Sequence, residues 1–160
     1  MIRNPVTIEP LSDNNIEAVS VLKVKPYQQI FSDQPVGALA EPEDGLSVHV
    51  IKKKNTVVGM FRVDTRFHFT HMFAQSDTPG IRSLVIDAAK QGQGLGTEAC
   101  RMMSLYLRSV LPLSRGIYQM VNVKNAGAYK SCTRAGWTDT GDKYLLGRTG
   151  PQHILWMPLR

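Results

Sequence analysis

The segment Gln91-Gly92-Gln93-Gly94-Leu95-Gly96-Thr97 limits what this chain can fold into more than any other. It separates a short apolar run, Leu84-Val85-Ile86, from a helical stripe that starts at Leu95. A continuous apolar run of that kind reads as a strand buried on both faces. Alternate glycines let the chain turn sharply and bring its backbone close to a ligand. A helix that opens directly from such a turn exposes unpaired N–H groups at the positive end of its dipole. Strand, glycine loop and helix together describe an α/β chain with an anion cradle suited to a pyrophosphate. The same glycines also suit a strand-to-helix turn that holds no ligand.

The remaining elements follow from periodicity and punctuation. Apolar residues at Leu95, Ala99, Met102, Met103, Tyr106, Leu107 and Val110 predict a helix over 94–110 that Pro112 stops. Residues 81–87 form the strand before the loop. Upstream, 46–52 and 56–64 are β-branched and apolar and predict a hairpin around the Lys-rich turn. A Ser12-Asp13 start signal predicts a helix over 14–24, and an irregular helical stretch follows over 28–40 between Pro26 and Pro42. Downstream, 117–123 is a strand. Residues 125–135 are a helix, with Asn125 as N-cap and Gly136 just past its end. Residues 137–146 and 152–159 are closing strands. The segment 66–80 is long for a hairpin connection. Its alternation of Phe67, Phe69 and Phe73 with polar residues predicts a strand extension before a Ser-Asp-Thr-Pro-Gly turn. The sum is an α/β (α+β) chain.

Composition sets the outer limits. A chain of 160 residues with no composition break is expected to be one domain, 1–160, with a core that needs no disulfide or metal. No apolar run approaches ~18 residues and the N-terminus lacks a hydrophobic signal core, so the expected location is cytoplasmic, with no membrane partner. Cys100 and Cys132 fall in helical segments among apolar neighbours and are expected as reduced thiols. The formal charge is +6. Its basic residues are spread out, and Lys52-Lys53-Lys54 reads as a solvated turn. A nucleic-acid partner is disfavoured, because no dense basic helix with interleaved aromatics is present.

The glycine loop discriminates among anions. A Walker loop needs a Lys after its glycines, and none follows here; a dinucleotide fingerprint needs a Gly-x-Gly-x-x-Gly spacing that is also absent. What fits is Gln91-x-x-Gly94-x-Gly96. A second pattern, Asn125-x-x-Ala128 followed by Gly136-Trp137, lies in the later helix. With both, the chain resembles the GNAT superfamily of acyl-CoA-dependent N-acyltransferases. Residues 22–31 are also similar to the N-terminal helical region of bacterial polyamine acetyltransferases. The resemblance implies a mixed, mostly antiparallel sheet flanked by helices, whose central strands 81–87 and 117–123 splay to admit acetyl-CoA as co-substrate, with no metal. It carries cofactor binding onto Leu84, Val85, Ile86, Gln91, Gly92, Gln93, Gly94, Leu95, Gly96, Thr97, Asn125, Ala128 and Cys132. It implies direct attack by a neutral amine, with a strand N–H polarising the thioester carbonyl.

The chain departs from the family at the acid. The family Tyr falls seven residues after Asn125, where this chain has Cys132. Tyr129, one turn earlier, is the candidate acid. No carboxylate lies in 117–123, so His68 and His71 are the candidate bases, through a water, and His71 is carried forward. In this reading Phe67, Phe69 and Phe73 pack the base of the 66–80 loop, and the two histidines face the acceptor. Their three-residue spacing without a third ligand is a poor zinc site. The acceptor is expected to be a primary amine of a small molecule or peptide. Acidic residues in the first 45 (Glu9, Asp13, Glu17, Asp33, Glu41, Glu43, Asp44) would suit a polycation. The alternative function is a non-catalytic acyl-CoA-binding or sensing module, and a homodimer is left open.

Overall fold

The computed structural model describes residues 5–28, 39 and 43–160. The helical stretch expected over 28–40 therefore lies almost wholly outside the described residues. The elements are β1 (Thr7–Pro10), α1 (Ile16–Ser20), β2 (Leu46–Lys53), β3 (Thr56–Asp64), α2 (Phe67–Thr70), β4 (Gly80–Ile86), α3 (Leu95–Val110), β5 (Gly116–Asn122), α4 (Ala126–Arg134), β6 (Thr138–Tyr144) and β7 (Gln152–Pro158). The strands form one sheet in the order β1-β2-β3-β4-β5-β7-β6. Every pairing is antiparallel except β4 with β5.

Alternation along β2 and β3 sends successive residues to opposite faces. Ile51 and Phe61 join Leu95, Ala99, Met103, Leu107, Cys132 and Trp137 beneath α3 and α4. Val50 and Met60 join Val19, Leu22 and Val24 on the other face. Farther along that second face Phe67, Tyr118 and Ile154 form a separate buried cluster. The β2–β3 turn places Lys54 and Asn55 at φ 51 and 64, the left-handed pair of a tight hairpin turn. Two of its lysines are anchored rather than simply solvated: Lys52 pairs with Glu9 at 3.3 Å and Lys53 with Glu98 at 3.1 Å.

Three local expectations change. β1 is an additional edge strand whose four residues carry no apolar alternation; it forms because β2 offers a partner from Lys52 back to His49. Its last residue, Pro10, has no N–H to donate and suits a strand end at the sheet edge. The helix expected over 14–24 is confined to Ile16–Ser20. Beyond it, Leu22 and Val24 are buried while Lys23 is exposed, a period of two that belongs to extended chain. The strand extension expected after residue 66 is a helical turn. Asp64 Oδ1 accepts from the Arg66 N–H at 2.9 Å, and the Phe67 carbonyl accepts from the His71 N–H at 3.0 Å. Phe67 alone is fully buried there, seated against Gly80, where any Cβ would collide with its ring. Phe69, expected to pack the base of the loop, is 67% exposed.

A buried polar group gives a pH-dependent stability. His49 on β2 is 6% exposed and stacks on Phe61. Ser47 Oγ at 2.8 Å and Tyr106 Oη at 2.6 Å bracket its ring nitrogens. Burial holds its pKa down at about 4 and pushes that of Tyr106 up to about 12. The unfolded chain protonates His49 near pH ~6.5, so stability is full above that value and falls as the pH drops through about 4, by up to about 3 kcal/mol. Urea unfolding near pH 7.5, 6 and 5 should show this loss in the native chain and a smaller one in His49→Gln. Equal pH slopes for the two would contradict it.

Candidate active site

β4 and β5 pair only at Gly80↔Tyr118 and Ile81↔Gln119. Toward Ile86 and Asn122 the two strands diverge, and their facing backbone groups no longer bond each other. β4 is also bulged beside the divergence. Arg62 pairs with Arg82 but Met60 pairs with Val85, so Ser83 and Leu84 together oppose Phe61. Ser83 takes φ 57 and its Oγ lies 2.6 Å from Arg62 Nη2. A bulge of this kind bends the strand and re-aims its backbone groups. On the β3 side Gly59 is required, since a Cβ there would collide with the Val85 carbonyl.

The gap opens toward the glycine loop, because β4 runs into it. Gln91 Nε2 donates to the Ile86 carbonyl at 2.8 Å, and the Gln91 and Gln28 amides exchange two bonds of 2.9 Å. The Gln91 side chain therefore holds the loop in place. Gly92 and Gly94 take φ 79 and 78, a conformation that L side chains rarely adopt. Gly94 is the N-cap of α3 and no side chain caps the helix. The N–H groups of Leu95, Gly96 and Thr97 are thus the free donors of the first turn, while the Leu95 side chain is buried in the core. Glu98, also in that turn, would oppose an anion, but its carboxylate accepts from Lys53 Nζ at 3.1 Å and from the Val6 N–H at 2.9 Å. Gln93 is exposed. Gly96 lies under α4, where a Cβ would stand 3.4 Å from Ser131 Oγ. Asn125 caps α4 as expected, its Oδ1 accepting from the Ala128 N–H at 3.3 Å.

The candidate acid and base occupy different faces. Tyr129 Oη donates to Asp139 Oδ2 at 2.7 Å, and its ring lies 4.2 Å from that of His153. That hydrogen bond raises the tyrosine pKa, while the Gly141 N–H and Tyr129 together lower that of Asp139. Asp139 lies on β6, two strands beyond β5 and roughly 10 Å from it at the usual strand spacing. The Tyr129 proton is therefore committed away from the gap. Cys132 is nearer: fully buried beneath α4, its Sγ lies 3.5 Å from Gln119 Oε1, at the last β4–β5 pair, and 3.3 Å from Cys100 Sγ. Both cysteines are free, and Cys132 together with burial drives the Cys100 pKa well up. Asp139 and His153 carried no sequence signal, since they meet Tyr129 only through the β6–β7 pairing.

His71 sits on the opposite face. Its ring stacks on Phe67 with centroids 3.9 Å apart, and Nδ1 lies 3.1 Å from the Phe67 carbonyl. Nδ1 also lies 2.9 Å from the Thr70 hydroxyl, so it donates to the Phe67 carbonyl in one tautomer and accepts from Thr70 in the other; with the proton on Nδ1, Nε2 keeps its lone pair. Burial lowers the His71 pKa, which keeps the ring neutral at pH 7. Phe67 in turn stacks on Tyr118, the residue paired with Gly80 where the strands begin to part. His68 packs against Phe69 instead. Among the described residues no group of three His, Cys, Asp or Glu side chains is placed to hold a metal ion, and no helix is long and apolar enough to cross a membrane.

The splayed strands, the β4 bulge and the glycine-turned helix start coincide with a match of the sequence profile of the Acetyltransferase (GNAT) family to residues 16–137. The chain belongs to this family. Solved structures with the same GNAT fold include aminoglycoside acetyltransferase AAC(6')-Ib in complex with parmomycin and acetyl-CoA. It is 15% identical, with a TM-score of 0.74 over 96% of this chain and 93% of that one. Spermidine N-acetyltransferase from Vibrio cholerae, in complex with CoA and spermine, is 13% identical, with a TM-score of 0.70 over 98% and 97%. No curated protein matches the chain. At these identities the neighbours establish the GNAT fold, and through the family, acetyl transfer in general.

Tyr129→Phe tests the position of the acid. With its proton held by Asp139, the variant should keep its maximal acetyl-transfer rate within ~10-fold and melt at a lower temperature. A loss of ~100-fold or more, the scale of a positioned acid, in a folded variant would assign the role to Tyr129.

Proposed function

We propose that the protein transfers an acetyl group from acetyl-CoA to a primary amine of a small molecule or peptide by direct attack. One observation carries this: the β4–β5 gap opens onto the uncapped start of α3, so a single extended ligand can place its pantetheine in the gap and its pyrophosphate on the helix N–H groups. Next to the bulge, a gap-facing backbone N–H among Leu84, Val85 and Ile86 polarises the thioester carbonyl as charge develops on its oxygen. In the tautomer whose Nδ1 donates to the Phe67 carbonyl, His71 Nε2, directly or through one water, takes the proton of the attacking amine. A C–N bond forms, the C–S bond breaks, and the thiolate departs toward the Cys132–Gln119 end of the gap, taking its proton from water.

The test is release of free CoA thiol from acetyl-CoA across an amine panel. Amine-dependent release supports transfer. Tight acetyl-CoA binding without release from any amine supports a non-catalytic binding module.

A further inference from the structure

We infer that the acceptor is a monoamine carried on an aromatic or apolar body, and not a polycation; this rests on the acetyltransferase reading above. The face of the sheet that presents His71 is built from rings. Phe73 lies 5.3 Å from Tyr118 and 5.9 Å from Tyr144, and Tyr118 lies 4.7 Å from Trp156. Tyr144 stands 5.4 Å from the His71 ring itself. Around this cluster Met72 is fully exposed, and Leu145 and Leu146 are 70% and 83% exposed. The apolar surface therefore continues outward from the candidate base along the tip of β6.

Charge distinguishes the acceptor classes. A polyamine or an aminoglycoside brings further ammonium groups, which need carboxylates to replace their hydration. Among the described residues, the charged groups felt by His71 are Asp64 and Arg82. Asp64 is buried, already accepts from the Arg66 N–H, and stands 3.6 Å from Arg82. Glu43 pairs with the same arginine at 3.5 Å. Among the described residues, Asp64 and Glu43 are thus matched internally by a guanidinium, and Asp77 of the same loop is exposed to water. An aromatic or branched aliphatic body loses nothing on leaving water and gains contact with Tyr144, Phe73, Met72 and Leu145.

The experiment compares kcat/KM, by CoA release, for phenethylamine, tyramine and tryptamine against spermidine and kanamycin, with the acetyl-CoA melting shift recorded for every variant. The aromatic monoamines should exceed both polycations by at least ~10-fold, the scale of one well-filled apolar contact. Tyr144→Ala, and independently Leu145→Ser at an exposed position, should raise KM for the best aromatic amine while the acetyl-CoA shift stays intact. Preference for spermidine or kanamycin overturns the inference, as does an unchanged KM in both variants. So does an absence of turnover with every amine while the shift persists, and that result leaves the acetyl-CoA site standing. Absence of the shift in the native chain overturns the acetyltransferase reading itself.

Discussion

Acetyl-CoA at 100 times its dissociation constant should stabilise the folded protein by about 2.7 kcal/mol. For a chain of this size that is a rise of roughly 5–10 °C in melting temperature. Gly94→Val should remove the shift. Gly94 takes φ 78 at the N-cap of α3, and the space beside it is open, with nothing within 4 Å of where a Cβ would stand. The unliganded fold therefore meets no collision and loses only the cost of forcing an L residue into the left-handed region, roughly 1–2 kcal/mol. The new methyl groups occupy the approach to the N–H groups of Leu95, Gly96 and Thr97, where the pyrophosphate would lie. A folded Gly94→Val protein that keeps the full shift would remove the anion cradle from the helix start.

His71→Ala should lower kcat for the best amine by ~10²–10⁴-fold, the range of a positioned general base, equivalent to about 3–5 kcal/mol of activation free energy. The acetyl-CoA shift should survive, because His71 lies on the face opposite α3 and α4. His68→Ala should keep its rate, since that half-buried ring packs against Phe69 and not against the Phe67–Tyr118 stack. The pH profile adds a readout that a packing role would not move. Burial places the His71 pKa below its ordinary value, so the neutral form persists below pH ~6.5 and the acidic limb assigned to this residue lies under that value. His71→Ala should flatten that limb as well as lower the rate. Unchanged kinetics in a folded His71→Ala protein would reject the assignment and leave solvent as the base.

The legible parts of this protein are those whose causes are short-range. The α3 stripe from Leu95 to Val110, the N-cap at Asn125, the hairpin around Lys54 and Asn55 and the glycine turn all depend on neighbours within a few residues. Periodicity, capping and backbone permissiveness act over that distance, so the glycine turn and the strand-loop-helix around it were readable directly. The residues after α1 show the limit of such reading. Val19, Leu22 and Val24 are all buried, but the change from a helical to an extended spacing within them depends on β2 and β3 lying underneath.

Tertiary structure decided the rest. β1 exists because β2 needed a partner, and the β4 bulge exists because β3 and β4 meet with one residue in excess. Tyr129 and Cys132 are three positions apart on one helix, yet one reaches Asp139 on the far strand and the other lies against Gln119 and Cys100. Helical spacing says that they face differently, but not what each meets. That depends on how α4 is rotated over the sheet, which is fixed by packing against α3 and by the order β5-β7-β6. The surroundings of His71 are set in the same way, by the Phe67 carbonyl and the Thr70 hydroxyl of a helical turn that formed because Phe67 found a cavity over Gly80. The sequence by itself determined the glycine turn and the helix start, since their geometry is local; what Tyr129, Cys132 and His71 each meet was decided by contacts between segments far apart in the chain.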